Sequence, residues 1–192
     1  MIECQHFYKR IKVSLHLILR KLCFVFLGVL LVTSPDSYAD NNFEYKLKAA
    51  YLINLGDFIV WQGANKNAQG SFSICIATDD PVNAYLQQTA QHLVKGKSLK
   101  IVNTLTLEQL KQCHIVYAES EKFLQILKVS PDLIDESVLT VSSEPGFVGR
   151  GGNIEFFIRD NKVRMRIDLN VSRKSRLTVS SKLLRLMEVI NP

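Results

Sequence analysis

Mostly apolar residues between positions 43 and 61 recur at steps of three and four, which is the period of an α-helix. Asn41 or Asn42 can cap its first turn, because a short polar side chain accepts hydrogen bonds from the unpaired N–H groups there. The pattern predicts a helix over Phe43–Trp61, with its recurring positions at Leu47, Ala50, Tyr51, Asn54, Phe58 and Trp61.

Short apolar runs then alternate with helical stretches through the middle of the chain. The runs predict strands at Phe72–Ala77, Leu99–Asn103, Cys113–Ala118 and Val138–Ser142. Helices are predicted between them, from the start Asp79-Asp80-Pro81 to Leu93, from Thr106, and over Ser120–Lys128. Strands that alternate with helices at this spacing favour a largely parallel sheet with both faces covered.

In the last fifty residues, the pattern changes to an alternation of apolar and polar residues with a period of two. Val163, Met165 and Ile167 alternate with polar residues, and Arg159-Asp160-Asn161 supplies the turn of a hairpin between Asn153–Ile158 and Lys162–Leu169. A closing helix is predicted from about Ser180 to Val189. The predicted fold class is α/β: a single three-layer-like domain with a mixed, mostly parallel sheet, a C-terminal antiparallel hairpin and a closing helix.

The first 39 residues have the character of a secretory leader. Five basic residues precede the apolar run Leu22–Val32, and Ser37-Tyr38-Ala39 suits signal-peptidase cleavage before Asp40. The apolar run reaches only about 16 Å as a helix, against roughly 30 Å of hydrocarbon in a membrane. We therefore expect a cleaved signal peptide at 1–39 in preference to a membrane anchor, and one exported domain at 40–192.

Removing this leader changes the charge and the cysteine count. The net charge falls from +6 to +3, which takes away most of the argument for a nucleic-acid partner. Cys75 and Cys113 remain, an even pair in an oxidising compartment, each in or beside a predicted strand. A disulfide is favoured over two free buried thiols, and it would stabilise the fold by about 4 kcal/mol in the chain-entropy model.

Residue patterns for catalysis do not occur in the exported part. It has no GxSxG motif, no P-loop and no GxGxxG after the first strand. His114 begins a strand and fits a packed histidine better than a ligand, and Asp79-Asp80 fits a helix cap better than an acid–base pair. The sequence therefore predicts no catalytic residues, no metal site and no cofactor.

Two features could form a contact surface. Trp61, at the end of the predicted helix and next to a polar loop, is expected to be partly exposed and available to a partner. A basic cluster could dock an acidic partner or an anionic ligand, although a solvated strand face and loop explains it as well. Its members are Arg164, Arg166, Arg173, Lys174 and Arg176.

Seven segments, taken in order, resemble the YfiR family of periplasmic regulatory proteins over about Tyr45 to Val189. They are KAAYLINLGDFIVW at 48–61, FSICIATDD at 72–80, CHIVYAE at 113–119, VLTVSSEPGF at 138–147, GGNIEFF at 151–157, RMRIDLN at 164–170 and LTVSSKLLRL at 177–186.

The resemblance implies a periplasmic α/β domain, often a homodimer, without catalytic activity. The best-understood member inhibits an inner-membrane diguanylate cyclase by binding its periplasmic part, and an outer-membrane lipoprotein relieves that inhibition. It also implies that Cys75 pairs with Cys113, while a second disulfide of that member has no counterpart here. The chain departs from the family at Ser172, Ser175 and Arg176, where family members have small residues, including a glycine before the Leu of the closing motif.

These observations predict a non-enzymatic periplasmic regulator that acts through protein contact. The expected partner is the periplasmic part of an inner-membrane signalling enzyme, with a diguanylate cyclase as the implied case. The alternatives are a small-ligand or redox sensing module, a periplasmic enzyme of unfamiliar type, and an accessory of another membrane sensor or transporter.

Overall fold

The computed structural model describes residues 38–62, 70–77, 80–89, 91–103, 106–119 and 137–191. They belong almost entirely to one compact unit, Ala39–Pro192. The predicted leader at 1–39, apart from its last two residues, and the predicted helix Ser120–Lys128 lie outside the described residues, so both stay predictions. Within the described residues, no helix is long and apolar enough to cross a membrane.

Strands and helices alternate through the first part of the described chain, as predicted. The helix predicted to reach Leu93 is wrong at its end, because it stops at Gln88 and Leu93–Val94 forms a strand. Their bounds, in chain order, are α1 (Tyr38–Phe58), β1 (Ile59–Trp61), β2 (Ser71–Ile76), α2 (Val82–Gln88), β3 (Leu93–Val94), β4 (Lys97–Asn103), α3 (Leu107–Leu110), β5 (Ile115–Tyr117) and β6 (Leu139–Ser142). The remainder comprises a 3₁₀ turn (Val148–Arg150), β7 (Ile154–Arg159), β8 (Lys162–Asp168), α4 (Leu169–Lys174), β9 (Leu177–Val179), α5 (Ser181–Leu184) and β10 (Glu188–Ile190).

One eight-stranded sheet organises the domain, in the order β10-β8-β7-β6-β5-β2-β4-β3. The five strands from β4 to β7 in that order are mutually parallel, whereas β8 and β3 are antiparallel to their neighbours β7 and β4. Strand β2 therefore lies between β4 and β5, and the direction of winding reverses at the β2–β5 boundary. In open α/β sheets, such a reversal leaves a crevice at the carboxyl ends of the strands.

Both faces of this sheet are covered, as the alternation of strands and helices predicts. Helix α1 packs Leu52 and Leu55 into a large core that contains Ile74, Tyr117 and Phe156. A smaller core on the other face contains Cys75, Leu110, Val116, Val138 and Phe147. Because successive strand side chains point to opposite faces, consecutive residues of β2 and of β5 enter different cores.

The predicted first helix is wrong at both ends. It begins at Tyr38, so Asn41 and Asn42 lie inside it and do not cap it. Helix α1 ends at Phe58, and Ile59–Trp61 forms β1, which pairs antiparallel with β9 through Val60 opposite Thr178. Ile59 and Trp61 are buried while Val60 is exposed, a period of two that is too short to recognise beside a long helical pattern.

The predicted closing helix is also mostly wrong. Ser180 caps α5 as expected, accepting from the Leu183 N–H at 3.3 Å, but α5 ends at Leu184. Glu188–Ile190 instead forms β10, which extends the sheet parallel to β8. Strand pairing decides this segment, since an edge position offers hydrogen bonds that local helical preference cannot foresee. The hairpin of β7 and β8 is confirmed, with Asp160 and Asn161 at φ of 51° and 54° in its turn.

Candidate functional site

An antiparallel ribbon of β1 and β9, outside the main sheet, presents apolar side chains to solvent. Phe58 and Val60 are 37% and 53% exposed, and Thr178 lies opposite Val60. The Gln62 side chain donates to Thr178 Oγ1 at 2.7 Å and closes the end of the ribbon. Val60 on this β1–β9 ribbon and Phe58 at the end of α1 are therefore exposed apolar side chains with polar neighbours, as found at contact surfaces; together they are called the ribbon surface.

Three of the predicted cations lie next to this ribbon, on α4 and the turn that follows. Asp168 caps α4 by accepting from Asn170 and Val171 N–H groups at 2.8 and 3.0 Å. The helix ends in two exposed cations, and a third follows after Ser175; they are Arg173, Lys174 and Arg176. None of the three, here called the basic segment, makes an ion pair within the described ranges.

The departures from the family pattern have a local physical account. Ser172 and Ser175 are 1% and 0% exposed, and their hydroxyls donate to the carbonyls of Asp168 and Val171 at 2.8 and 3.0 Å. Burial of both side chains favours small residues at these two positions. Arg176 has φ of 53°, a conformation that costs an ordinary residue about 1–2 kcal/mol and glycine almost nothing.

The remaining two predicted cations lie elsewhere, on β8. Arg166 is held between Glu155 and Glu188, with nitrogen–oxygen distances of 3.5 and 3.4 Å, and its guanidinium lies 4.2 Å from the Phe157 ring centre. Arg164 is exposed on the same strand, opposite Phe157. The basic cluster predicted as one surface is thus divided between β8 and the basic segment.

The expected exposure of Trp61 is wrong. Its side chain is 3% exposed, and its indole Nε1–H donates to the His114 carbonyl at 3.1 Å. The indole packs edge-on against Phe72 and His114, at ring-centre distances of 5.3 and 5.7 Å. Strand β1 directs Trp61 inward because it places alternate residues on opposite faces, whereas a helix end would have left it at the surface.

Cys75 and Cys113 form a disulfide, with their Cα atoms 5.9 Å apart. Cys75 lies within β2, and Cys113 lies just before its parallel neighbour β5, so the bridge crosses between adjacent strands. It is enclosed in the smaller core, where both residues are at most 3% exposed. The bridge links the two strands at which the winding of the sheet reverses.

A charged cluster that sequence reasoning missed lies at the carboxyl edge of those same strands. Its members come from α1, from the start of α2, and from the ends of β5 and β6; they are Glu44, Lys48, Asp80, Tyr117, Glu119 and Ser143. Lys48 is 4% exposed and donates to Glu119 Oε1 at 3.1 Å, and its Nζ lies 2.8 Å from Glu44 Oε1. The Tyr117 hydroxyl also donates to Glu119, and it lies 3.3 Å from Ser143 Oγ.

Asp80 brings the start of α2 to this carboxyl-edge cluster. It is 8% exposed, its Oδ1 accepts from the Val82 N–H at 2.7 Å, and the neighbouring Glu119 contributes to raising its pKa. The bond to Val82 pairs the first N–H of α2, which agrees with the predicted role of Asp80 at the helix start, whereas Asp79 lies outside the described residues. The partner carboxyl could not be foreseen, because Glu119 is 39 residues away and no local pattern marks the contact.

The two carboxyl groups titrate far apart. Burial, and then the hydrogen bond and charge of Glu119, raise the pKa of Asp80 to about 7. Burial alone would raise the pKa of Glu119, but hydrogen bonds from Asp80, Ser143 and Tyr117 outweigh it and hold that pKa at about 2. Burial would lower the pKa of Lys48, but its two glutamate partners raise it above its ordinary value. At neutral pH, Glu119 and Lys48 are charged, and Asp80 is near its midpoint.

His114 occupies the packed position that its place in a strand predicts. It is 3% exposed, and its Nδ1 accepts from the Ser73 N–H at 3.2 Å. Among the described residues, no three His, Cys, Asp or Glu side chains are grouped so that they could hold a metal ion.

The model of the YfiR/HmsC-like family matches residues 45–188. The chain belongs to this family. The YfiR/HmsC-like proteins are periplasmic regulators rather than catalysts, and their partners are proteins of the periplasm. The match runs from α1 through the ribbon to the first residue of β10, so it includes the basic segment and, apart from Glu44, the carboxyl-edge cluster.

Among solved structures, the fold is similar to that of a conserved domain protein from Vibrio cholerae O1 biovar El Tor strain N16961, at 8% identity and a TM-score of 0.45. The likeness covers 73% of this chain and 59% of that one, so this chain spans less than two thirds of its length. No curated protein matches the chain in sequence.

Proposed function

We propose that this protein binds the periplasmic part of an inner-membrane signalling enzyme and holds that enzyme inactive. In this proposal the signalling enzyme is a diguanylate cyclase, and the protein lowers cyclic di-GMP output and biofilm formation by inhibiting it. Family membership supports a periplasmic regulator, and the ribbon surface supports a protein as the ligand. An outer-membrane lipoprotein that removes the regulator, and a homodimeric state, belong to the same proposal.

The observation that carries this proposal is the pairing of apolar and basic groups at one surface. Phe58 at the end of α1 and Val60 on the ribbon are exposed, and the basic segment ends just before β9 begins. Arg176 is tied to the ribbon by its carbonyl, which accepts from the Gln62 N–H at 3.1 Å. An acidic protein segment with apolar side chains suits such a surface, since apolar contacts hold the complex while charge orients it.

Charge reversal tests the surface. Arg173→Glu combined with Lys174→Glu should raise cellular cyclic di-GMP toward the level of a gene deletion, because two cations at the contact become like charges to an acidic partner. The matched control is Lys100→Glu with Lys162→Glu, which changes the net charge equally at exposed positions on β4 and β8. A gene deletion that leaves cyclic di-GMP unchanged contradicts the cyclase partner. A deletion effect that the surface variant does not reproduce contradicts the surface alone.

A second candidate function, sensing of a small ligand, is favoured by a cleft between α1 and α2. It has a volume of about 340 Å³ and an apolar floor that includes Ala49, Ala50 and Ile53. Lys46 lies at its rim, 5.6 Å from the centre of the Tyr85 ring. A cleft of this size with one cation suits a small aromatic or aliphatic carboxylate. Such compounds should raise the melting temperature of the purified protein, and Lys46→Ala should remove the shift.

A further inference from the structure

We propose that the β7–β8 hairpin binds an extended, acidic segment of a partner protein, which adds to the main sheet as a further strand. The site is a groove between the first half of α1 and the tip of the hairpin. Its lining includes Phe43, Leu47, Tyr51, Ile158, Val163 and Arg164, and it is here called the hairpin groove. An apolar side chain of the added strand enters the groove, and a carboxylate of the same strand meets Arg164.

The hairpin groove has apolar walls on a floor that the core holds in place. Ile158 and Val163 lie directly opposite each other on β7 and β8, so they share one face of the sheet. Val163 is buried, and Leu47 and Tyr51 of α1 pack against the large core. Ile158 and Phe43, in contrast, are 52% and 65% exposed. Two large apolar side chains left in water beside a groove are typical of a contact surface.

The size of the hairpin groove favours one side chain of a larger partner. Its volume is about 250 Å³. Pockets for small molecules usually have roughly 300–1,000 Å³ and enclose most of their ligand. A smaller groove suits an anchoring side chain, as in the recognition of peptides by pockets beside a sheet edge.

Strand β8 has an open edge next to the hairpin groove. Strand β10 pairs with β8 only from Arg166 to Asp168, and no other described strand pairs with that edge. The residues of β8 before Arg166, including Val163 and Arg164, therefore present backbone N–H and C=O groups on that side. An extended peptide can form hydrogen bonds with such an edge while its alternate side chains enter pockets beside it.

Charge identifies the kind of strand that fits. Arg164 is exposed and makes no ion pair with any described residue, whereas Arg166 is held by two glutamates. Glu44, at the α1 side of the groove, lies 2.8 Å from Lys48 Nζ and is neutralised there. The uncompensated charge beside the groove is therefore positive, and a carboxylate on the added strand complements it.

The same charge disfavours a second copy of this chain. Two copies paired edge to edge through β8 would bring both Arg164 side chains to one short ladder, and like charges across strands destabilise pairing. Cations on an edge strand commonly protect it against such self-pairing. The partner is therefore a different protein with acidic residues in an extended segment.

The hairpin groove is separate from the ribbon surface. Phe43 and Phe58 lie near opposite ends of α1, about 22 Å apart at a rise of roughly 1.5 Å per residue. One partner at each surface can therefore be bound at the same time. The strand site does not depend on the proposed function, because none of its residues belongs to the ribbon surface or to the basic segment.

A fluorescein-labelled peptide, acetyl-Glu-Val-Glu-Phe-Glu-Val-amide, tests the strand site by fluorescence anisotropy with the purified protein. Its carboxylates and apolar side chains lie on opposite faces of an extended chain, as do Arg164 and Val163 on β8. It should bind at least about tenfold more tightly than the same peptide with lysine in place of glutamate. Two N-methylated forms, each without the N–H groups of one edge, should differ at least about tenfold, because only one edge faces β8.

Variants of the protein locate the binding. Arg164→Glu should weaken binding of the acidic peptide at least about tenfold and strengthen binding of the lysine peptide. Phe43→Ser combined with Ile158→Ser should weaken the binding of both peptides, because the anchoring side chain loses its apolar walls. The matched control is Leu186→Ser, which removes an apolar side chain that is 70% exposed elsewhere and should leave binding unchanged.

The charge-reversed ribbon variant, Arg173→Glu with Lys174→Glu, should bind the acidic peptide like the wild type, so each surface is tested independently. The strand site is overturned if the acidic peptide fails to bind at about 1 mM, or if the two N-methylated forms bind equally. It is overturned as well if the lysine peptide binds as tightly, or if Leu186→Ser weakens binding as much as the groove variant. A change in the sedimentation mass of the peptide-free protein on Arg164→Glu also overturns it, since the edge would then belong to a second copy.

Discussion

The carboxyl-edge cluster and the basic segment hold the same kinds of charged side chain in opposite circumstances. Lys48 is buried and bonded to two glutamates, whereas Arg173, Lys174 and Arg176 are exposed and make no ion pair within the described ranges. In the cluster, burial removes the charged groups from water, and the cost of that desolvation must be offset by ion pairs and hydrogen bonds inside the fold. In the basic segment, water solvates the charges, and they remain available to a partner. The sequence alone does not distinguish the buried cations from the exposed ones, because the residue type does not reveal whether its side chain is buried.

The largest expected difference comes from removing a cation at each kind of site. Lys48→Ala leaves Glu44 and Glu119 without their shared partner, and breaking a buried pair in this way costs about 3–5 kcal/mol of unfolding free energy. Lys46→Ala, two residues earlier on the same helix, removes an exposed cation and should change stability by less than about 0.5 kcal/mol. Denaturant unfolding of both variants measures this contrast. Equal losses would show that burial is not what distinguishes the cluster.

The second prediction concerns pH, because the stability contribution of the buried Asp80 should depend on its protonation. The pKa of Asp80 is raised from 3.8 to about 7, so its contribution to stability is fully present below about pH 4 and is lost as the pH rises through 7. Asp80→Asn is uncharged at every pH. It should therefore match the wild type at low pH. At pH 8 it should exceed the wild type in unfolding free energy by about 2–3 kcal/mol, because residual solvent screening of this carboxyl group reduces the roughly 4 kcal/mol that the pKa shift implies.

Denaturant midpoints measured from pH 5 to pH 8 check this prediction. A difference that stays constant across that range would contradict it, because an ordinary capping effect does not depend on the titration of Asp80. The stability contribution of Glu119 has the opposite pH dependence to that of Asp80. The pKa of Glu119 is lowered to about 2, so its contribution is present above its ordinary value of 4.5 and is lost only as the pH falls through 2.

The smallest expected effect belongs to the basic segment. Arg176→Gly should raise the unfolding free energy by about 1 kcal/mol, since glycine adopts the positive φ of this position without steric cost. Arg173→Gly is the matched control, because glycine inside α4 should lower stability by about 0.5–1 kcal/mol. Thermal melting distinguishes the two. If Arg176→Gly also weakens cyclic di-GMP control, then this chain carries an arginine there for its partner and not for its fold.

Much of the architecture could be predicted from local pattern. The buried strands β2, β5 and β6 can be recognised as apolar runs in the sequence. The β7–β8 hairpin is predicted by its alternating apolar and polar residues and by its Asp160-Asn161 turn. The glycine-rich turn has a similar local logic: a Cβ on Gly152 would lie 2.1 Å from the Phe147 ring, so only glycine fits beneath that side chain. Each of these choices depends on residues close together in the chain.

The ends of α1 and of the chain could not be predicted in this way. Ile59–Trp61 and Glu188–Ile190 become strands because β9 and β8 are there to pair with them, and both partners are more than twenty residues away. The same reason explains the misplaced Trp61 and the division of the basic cluster. A helical pattern records which side chains repeat, but it contains no information about which distant backbone will be hydrogen-bonded to it.

The sequence by itself therefore determined the fold class, the core-forming runs, the family and the two cysteines available to pair. The tertiary structure decided which charges are buried and which are free. Lys48, Asp80 and Glu119 lie on α1, before α2 and after β5, and they meet only because the winding of the sheet reverses between β2 and β5. Electrostatic strength depends on distance and on the exclusion of water, and both are properties of the folded chain.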